Sequence, residues 1–226
     1  DILDGGTGGD FASYANASLG VTVDLRIVSV QQDIIPTRND DDQGSDTLIG
    51  IENLVGSTRG DTLTGDDNDN ILLGGEGDDK LYGHGGADIL MGEEGRDRLE
   101  GGAGEDLLSG GDKGDTLIGG DGIDTATYAD AMNRVIVDLA AGTGAGDVAQ
   151  GDTLTGIENL VGSEYNDQLS GDAADNILNG GAGGDTLEGG AGDDFLEGGA
   201  GDDIIKGGLG NDTASYQSDT AAVDVE

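Results

Sequence analysis

The sequence predicts an all-β protein that folds as a parallel β-roll, or β-solenoid. A nine-residue pattern, G-G-x-G-x-D-x-U-x with U apolar, repeats in unbroken register over residues 74–127 and again over residues 180–215. Glycine accounts for 47 of the 226 residues, and each glycine costs a helix roughly 1 kcal/mol relative to alanine. Only 34% of the residues are hydrophobic, so the core must be narrow. We expect two rolls built from GGxGxDxUx repeats and joined by longer strand segments.

Each repeat predicts one turn followed by one short strand. The glycines allow the positive φ angles of a tight turn, and the x-U-x triplet alternates outward, inward and outward as a strand does. Two nonapeptides then complete one full turn of the solenoid. The inward residue stands at the eighth position of every repeat. These residues are Leu81, Leu90, Leu99, Leu108, Leu117, Ala126, Leu187, Leu196, Ile205 and Ala214.

The sixth position is aspartate in every repeat of both runs. These residues are Asp79, Asp88, Asp97, Asp106, Asp115, Asp124, Asp185, Asp194, Asp203 and Asp212. Stacked turns bring the carboxylates into rows, where they repel one another unless a cation neutralises them. A hard cation with about six to eight oxygen ligands fits carboxylates and exposed carbonyls, and calcium tolerates irregular geometry better than magnesium does. The rows therefore predict calcium binding.

Composition excludes several classes of function. The formal net charge of −39 argues against nucleic acid and anionic membranes as partners, because the electrostatic contribution would be repulsive. The chain has no Cys and one His, which excludes a disulfide framework and makes zinc or haem centres untenable. It contains neither an HExxH nor a GxSxG motif, and we expect no catalytic residue. Composition alone also fits a disordered acidic chain, but the unbroken register favours the solenoid.

A longer unit contains the repeats. Weaker copies precede each run, and Asn70 and Asn176 replace the aspartate in two of them. The segment from Gly5 matches the segment from Gly119, and the VTVDL and VIVDL sequences within them each predict one longer strand. The predicted organisation is the end of a preceding roll with a junction strand and loop (1–40), a first roll (41–127), a second junction (128–150), a second roll (151–215) and the truncated start of a third unit (216–226).

The aromatic residues and the histidine outside the core have simple structural interpretations. Tyr14, Tyr128 and Tyr216 each follow a repeat whose core residue is alanine, and we expect them to cap the ends of the rolls. Stacking on sugars is the alternative role, since aromatic faces are common at binding surfaces. His84 lies inside a repeat turn and is expected to be a solvated loop residue rather than a ligand or an acid/base group.

With these repeats, the sequence resembles the repeat region of bacterial RTX, or haemolysin-type calcium-binding, secreted proteins. GGEGDDKLY at residues 74–82 and GGAGDDFLE at residues 189–197 show the pattern. The resemblance implies that each calcium ion lies between two stacked turns on the same edge of the roll. One turn supplies the carbonyls of its second and fourth positions and its aspartate. The next supplies the carbonyls of its first and third positions and its aspartate.

The resemblance thereby implies a ligand set for each pair of turns. In the first run it pairs Gly75, Gly77 and Asp79 with Gly92, Glu94 and Asp97, and it pairs Gly102, Gly104 and Asp106 with Gly119, Asp121 and Asp124. In the second run it pairs Gly181, Gly183 and Asp185 with Gly198, Ala200 and Asp203, and it pairs Gly190, Gly192 and Asp194 with Gly207, Leu209 and Asp212. Further ligands at equivalent positions are Gly86, Asp88, Gly95, Gly101, Ala103, Gly110, Asp112 and Asp115.

Some turns depart from the family's pattern. His84 and Glu93 replace the second glycine, and Lys113 replaces the fourth. Backbone carbonyls survive these substitutions, but positive φ angles become costly there. Sites that use Asn70 or Asn176 lose one negative charge, so we expect weaker binding or only a structural role.

The resemblance implies a non-catalytic module that folds on binding several extracellular calcium ions. Such chains leave the cell unfolded by type I secretion, and the module then acts as a folding and spacer element, outside the cell or at its surface. One alternative is a repeat of an adhesin, surface-layer or filament protein that assembles end to end with its own copies. Another is a polysaccharide-binding module attached to a secreted enzyme. No interpretation involves nucleic acid or insertion into a membrane.

Overall fold

A computed structural model describes residues 2–27 and 46–217. Residue 1, residues 28–45, which cover part of the predicted first loop and the first five residues of the predicted first roll, and residues 218–226 of the predicted third unit lie outside the described residues. The strands are β1 (Ile2–Asp4), β2 (Phe11–Ser13), β3 (Thr22–Asp24), β4 (Thr47–Ile49), β5 (Asn53–Val55), β6 (Thr62–Thr64), β7 (Ile71–Glu76), β8 (Lys80–Gly85), β9 (Ile89–Glu94), β10 (Arg98–Gly104), β11 (Leu107–Asp112), β12 (Thr116–Gly122), β13 (Thr125–Thr127), β14 (Ile136–Asp138), β15 (Thr143–Ala145), β16 (Thr153–Thr155), β17 (Asn159–Val161), β18 (Gln168–Ser170), β19 (Ile177–Asn179), β20 (Thr186–Ala191), β21 (Phe195–Glu197), β22 (Ile204–Leu209) and β23 (Thr213–Ser215). A short 3-10 helix covers Asp147–Ala149.

Two long sheets face each other across the core. One has the order β2-β5-β7-β9-β11-β13-β17-β19-β21-β23 and pairs in parallel throughout. The other has the order β22-β20-β18-β14-β15-β16-β12-β10-β8-β6-β3, and only β15 in it pairs antiparallel. Strands β1 and β4 form a separate parallel pair. Successive strands alternate between the two long sheets through the repeat runs, so the predicted all-β solenoid is confirmed.

The register shows that two nonapeptides form one turn of the solenoid. Leu72 pairs with Leu90, and Leu90 pairs with Leu108, so partners lie 18 residues apart. The other sheet has the same spacing in the repeat runs. Each nonapeptide therefore contributes one strand to one sheet, and the turns collect along two opposite edges.

The eighth-position residues form the core, as the sequence predicts. From Leu81 to Ala126 every one of them is fully buried, and so are Leu187 and, within 1% exposure, Leu196. The weaker copies extend the stack with residues that are likewise fully buried. These are Leu54, Leu63, Leu72, Leu160, Leu169 and Leu178. Only the last turn differs: Ile205 is partly buried and Ala214 is exposed, because the described chain places no further turn over them.

The two repeat runs share the same sheets. Strand β13 pairs with β17 and β12 pairs with β16, so both sheets continue from the first run into the second. The junction adds the antiparallel strand β15 between β14 and β16. Tyr128 is consequently buried inside a continuous stack, at 2% exposure, and the prediction that it caps the end of a roll is wrong. The boundaries of the predicted segments stay a prediction.

The junction strands are shorter than the sequence suggests. Strands β3 and β14 cover three residues each, although the alternating valines around them are buried as predicted. At the start of these strands, the N–H groups of Val21 and Val135 donate to the carboxylates of Asp61 and Asp167, at 2.6 and 2.8 Å. Their carbonyls accept the N–H groups of Thr62 and Gln168 from the neighbouring strands, at 2.8 and 3.0 Å.

Replacing one core leucine tests the stack. We expect Leu90→Ala to lower the free energy of unfolding in saturating calcium by about 2 to 5 kcal/mol, because it leaves a cavity in a fully buried row. Chemical denaturation is the measurement. Lys80→Ala, on the exposed outer face of β8, is the control and should change stability by less than about 0.5 kcal/mol. Equal effects of the two variants would contradict the core assignment.

Candidate metal centre

The sixth-position aspartates form a buried column along each edge of the roll. The N–H of Asp79 donates to Oδ1 of Asp97 at 2.8 Å, and the N–H of Asp88 donates to Oδ1 of Asp106 at 2.8 Å. The same bond recurs between residues 18 apart in both runs, at 2.7 to 3.2 Å. One oxygen of each aspartate thus fixes the position of the preceding turn on the same edge.

The second carboxylate oxygen of these aspartates has no such partner. Among the described residues, Oδ2 is buried without a hydrogen-bond donor at eight repeat positions. They are Asp79, Asp88, Asp97, Asp106, Asp115, Asp124, Asp185 and Asp194. Buried polar atoms are nearly always paired, and a buried carboxylate needs a compensating charge. A cation bound between the turns would supply both the charge and the contacts that these oxygens lack.

Backbone carbonyls converge on the same spaces between turns. At Gly74, the place of a Cβ atom is approached by Oδ2 of Asp79 from its own turn and by the carbonyl oxygen of Gly92 from the next turn. A Cβ on Gly95 would collide with the carbonyl oxygen of Gly77, and one on Gly102 would collide with that of His84. First-position carbonyls thus point back, and second- and fourth-position carbonyls point forward, into the gap between stacked turns.

The third-position carbonyl is already engaged in a backbone hydrogen bond. The N–H of Gly77 donates to the carbonyl of Glu94 at 2.7 Å, and the N–H of Gly183 donates to that of Ala200 at 2.8 Å. A carbonyl oxygen has two lone pairs, so this bond leaves one for a further interaction. Each predicted ligand set therefore joins turns that stack directly on each other. Metal ligation by these particular residues stays a prediction.

Side chains alone do not form a metal site in the described part of the chain. Within residues 2–27 and 46–217, no group of three or more His, Cys, Asp or Glu side chains could hold a metal ion. Any ion between the turns must take carbonyl oxygens together with aspartates. Oxygen-only coordination of this mixed kind is typical of calcium.

A comparison with protein families agrees with this geometry. The family model described as RTX calcium-binding nonapeptide repeat (4 copies) matches residues 46–81, 55–90, 64–99, 82–116, 91–126, 152–187 and 179–214. The chain belongs to this family. No curated protein matches the chain in a sequence comparison. In the part of the chain that the structure describes, no helix is long and apolar enough to span a membrane.

Most RTX turns have positive φ at their second and fourth positions. Gly75 and Gly77 have φ of 105° and 127°, and the equivalent glycines in the other turns of the two runs are similar, except Gly95, whose φ is not positive. His84, Glu93 and Lys113 adopt φ of 79°, 74° and 81°, although they are not glycine. The steric cost of positive φ expected from the sequence is therefore present at these three positions.

In the weaker copies of the repeat, the sixth-position side chains have hydrogen-bond partners. The N–H of Ser163 donates to Oδ2 of Asp167 at 2.6 Å, and its hydroxyl donates to the same oxygen at 2.8 Å. Asn176 accepts from the N–H of Asp172 and donates its side-chain amide to the carbonyl of Glu158, both at 2.8 Å. In the other weak copy, the N–H of Ser57 donates to Oδ2 of Asp61 and the hydroxyl of Ser57 donates to Oδ1. Hydrogen bonds from neighbouring residues thus occupy these side chains, and their weaker binding or purely structural role stays a prediction.

Burial raises the pKa of several aspartates in the columns. The pKa of Asp79, Asp88 and Asp115 rises to about 7, first because burial disfavours the charged form and second because neighbouring aspartates repel it. The pKa of Asp97 and Asp124 rises to about 6, again mainly through burial. Without a cation, the folded turns therefore favour the protonated form.

Three carboxylates in the columns, those of Glu52, Asp152 and Glu158, lie outside the nonapeptide pattern, which did not reveal them. Asp115 N–H donates to Asp152 at 2.9 Å, and Asp124 N–H donates to Glu158 at 2.9 Å. Asp10 and Glu52 form the same bond at 2.9 Å. The signal that could have identified the glutamates is the sequence Gly-Ile-Glu-Asn-Leu-Val-Gly-Ser, which occurs once in each long unit.

The positive φ angle of His84 can be tested by substitution. We expect His84→Gly to raise the free energy of unfolding in calcium by about 1 kcal/mol, because glycine adopts this backbone conformation without a steric cost. His84→Ala is the matched control, since it removes the imidazole but keeps the cost. Chemical denaturation should show the gain only for glycine, and equal stability of the two variants would contradict it.

The raised pKa values predict how the calcium-free protein responds to pH. The folded state binds protons at Asp79 and Asp88 more tightly than the unfolded state does. Their protonation therefore stabilises the fold fully below the ordinary pKa of 3.8, and this stabilisation is lost as the pH rises through the folded pKa of about 7. We therefore expect calcium-free protein to gain β-structure by circular dichroism between about pH 7 and pH 5. Calcium affinity should fall over the same range, because protons compete for the ligands. An unchanged calcium-free spectrum would contradict the burial of these carboxylates.

Proposed function

We propose that this chain is a non-catalytic module of a secreted protein that folds when calcium binds between its turns. The observation that carries the proposal is the row of buried aspartate oxygens that lack a hydrogen-bond partner, at eight repeat positions among the described residues. Each of them stands beside carbonyl oxygens of the next turn. Calcium supplies the charge that these oxygens require, and the module serves as a folding and spacer element.

Electrostatic repulsion supports the coupling between binding and folding. The chain has a formal net charge of −39, and the fold places its sixth-position carboxylates in columns. The core that must offset this repulsion is a single row of leucines from each sheet. Since the stacked turns create the site, the free energy of calcium binding is also free energy of folding. We expect the chain to be largely unfolded when calcium is absent.

The donor set favours calcium over magnesium. Carbonyls from two turns and carboxylates from two aspartates offer many oxygens in an irregular arrangement. Magnesium demands a near-ideal octahedral geometry and gives up its water ligands reluctantly, whereas calcium accepts more ligands at variable positions. Calcium should therefore induce folding at concentrations where magnesium does not.

The proposed location follows from the calcium requirement. RTX repeats are typical of secreted bacterial proteins, and we place this module outside the cell, where calcium is plentiful. A chain that is unfolded at low calcium is also suited to export through a narrow channel. Circular dichroism in chelator and in millimolar calcium tests this coupling directly, and equal β-structure in the two conditions would refute it.

Two adjacent aspartates allow a matched test of the ligands. Asp79 is 1% exposed in the column, whereas Asp78 is on the surface and accepts the N–H of Arg96 at 3.0 Å. Asp79→Asn should raise the calcium concentration at the folding midpoint about tenfold or more, because it removes one ligand charge and introduces an N–H donor. Asp78→Asn should shift the midpoint less than about twofold, since its charge is solvated and asparagine still accepts the hydrogen bond.

Calcium titrations followed by circular dichroism measure both midpoints. The two variants carry the same chemical change at neighbouring positions, so a general effect of net charge would shift them equally. Equal shifts would contradict the role of the sixth position. A selective shift for Asp79→Asn supports it.

A further inference from the structure

Glu158 lies outside the repeats but occupies the next place in the column after Asp124. The N–H of Asp124 donates to Oε2 of Glu158 at 2.9 Å, which is the bond that sixth-position aspartates accept elsewhere in the column. The carbonyl of Asp124 accepts the N–H groups of Glu158 and Asn159, at 3.1 and 2.9 Å. The loop that carries Glu158 is thus stacked on the last turn of the first run as another repeat would be.

An oxygen of Asp124 points into the gap below this loop. Asp124 is 0% exposed, and its Oδ2 is buried without a hydrogen-bond partner. The place of a Cβ atom on Gly119 is approached by this Oδ2 and by the carbonyl oxygen of Gly156. Gly74, inside the first run, has the same two neighbours: the aspartate oxygen of its own turn and a first-position carbonyl of the next. The loop therefore reproduces the oxygen arrangement of a repeat site.

The carbonyl of the second-position glycine in the last turn of the first run lies near the same gap. The carbonyl oxygen of Gly120 lies 3.5 Å from the place of a Cβ on Gly156. Gly156 has a φ of 60°, which glycine adopts without strain. Two carbonyls and two carboxylates thus face one another across this gap.

The other long unit repeats the arrangement independently. Asp10 N–H donates to Oε2 of Glu52 at 2.9 Å, and Oδ2 of Asp10 is buried without a partner. Gly50 has a φ of 59°, and the carbonyl oxygen of Gly6 lies 3.1 Å from the place of its Cβ. The carbonyl of Gly50 in turn approaches Gly5, as that of Gly156 approaches Gly119.

We propose that each Gly-Ile-Glu segment completes a calcium site that does not follow the nonapeptide pattern. The glutamate takes the place of the sixth-position aspartate: Glu158 acts with Asp124 and the carbonyls of Gly120 and Gly156, and Glu52 acts with Asp10. This inference rests on the proposed function, because it assumes that the repeats bind calcium. An ion at Glu158 links the first run to the segment that begins the second, so both runs fold as one cooperative unit.

The asparagine that follows each glutamate in the column accounts for the end of the proposed row of calcium sites. The next column residue is Asn176, whose side-chain amide donates to the carbonyl of Glu158 at 2.8 Å. Asn70 donates to the carbonyl of Glu52 in the same way, at 2.8 Å. A hydrogen bond thus joins the turns on the far side of each glutamate, and a cation is needed only on the near side.

Substituting the glutamate tests the site in the full chain. Glutamine in Glu158→Gln can still accept the N–H of Asp124, but it removes the negative charge that a calcium ligand supplies. Glu164→Gln is the matched control, because Glu164 is exposed in a turn where Ser163 already satisfies Asp167. Calcium binding is measured by isothermal titration calorimetry with calcium alone, and folding is followed by circular dichroism.

We expect Glu158→Gln to bind one ion fewer than the wild-type chain, or to bind that ion at least tenfold more weakly, with an unchanged spectrum in saturating calcium. Glu164→Gln should match the wild-type chain. An unchanged ion number and affinity in Glu158→Gln, while the wild-type chain folds with calcium, overturns this site and leaves the proposed function intact. A wild-type chain that binds no calcium overturns both. If Glu158→Gln does not fold in calcium, Glu52→Gln provides the same test in the other unit.

Discussion

The structure depends on the two oxygens of the buried sixth-position aspartate. One oxygen accepts the N–H of the equivalent residue 18 positions earlier and so fixes the spacing of the turns. The other is buried without a donor and faces the carbonyls of the following turn. The same side chain therefore sets the register of the solenoid and creates its need for a cation. Register and metal binding cannot be separated in such a fold.

The second position of a turn affects the hydrogen bonding of the aspartate in that turn. Where it is glycine with positive φ, as at Gly75, its carbonyl points toward the next turn and the aspartate oxygen remains unpaired. Where it is Ser57 or Ser163, the N–H and hydroxyl of the serine donate to the aspartate. The residue at the second position thus decides whether both oxygens of the buried aspartate have hydrogen-bond donors.

Because the core is narrow, the stability of the fold also depends on the turns along its two edges. Each turn contributes one inward residue, and neighbouring turns bury these residues completely along most of the stack. Contacts reach only adjacent turns, so stability accumulates along the solenoid from one interface to the next. The junction preserves this continuity, because β13 pairs with β17 and β12 pairs with β16. A separate core for each repeat run is therefore unnecessary.

The sequence by itself determined the fold class, the core residues and the ten repeat aspartates, because a strict nine-residue period assigns every position to a turn or a strand. Tertiary structure alone decided what happens where the period breaks. It buried Tyr128 inside the stack and placed Asp152 and Glu158 in the aspartate columns, through chain segments of 37 and 34 residues instead of 18. Local periodicity cannot encode these contacts, since they arise only when an irregular segment returns the chain to the same edge of the sheet.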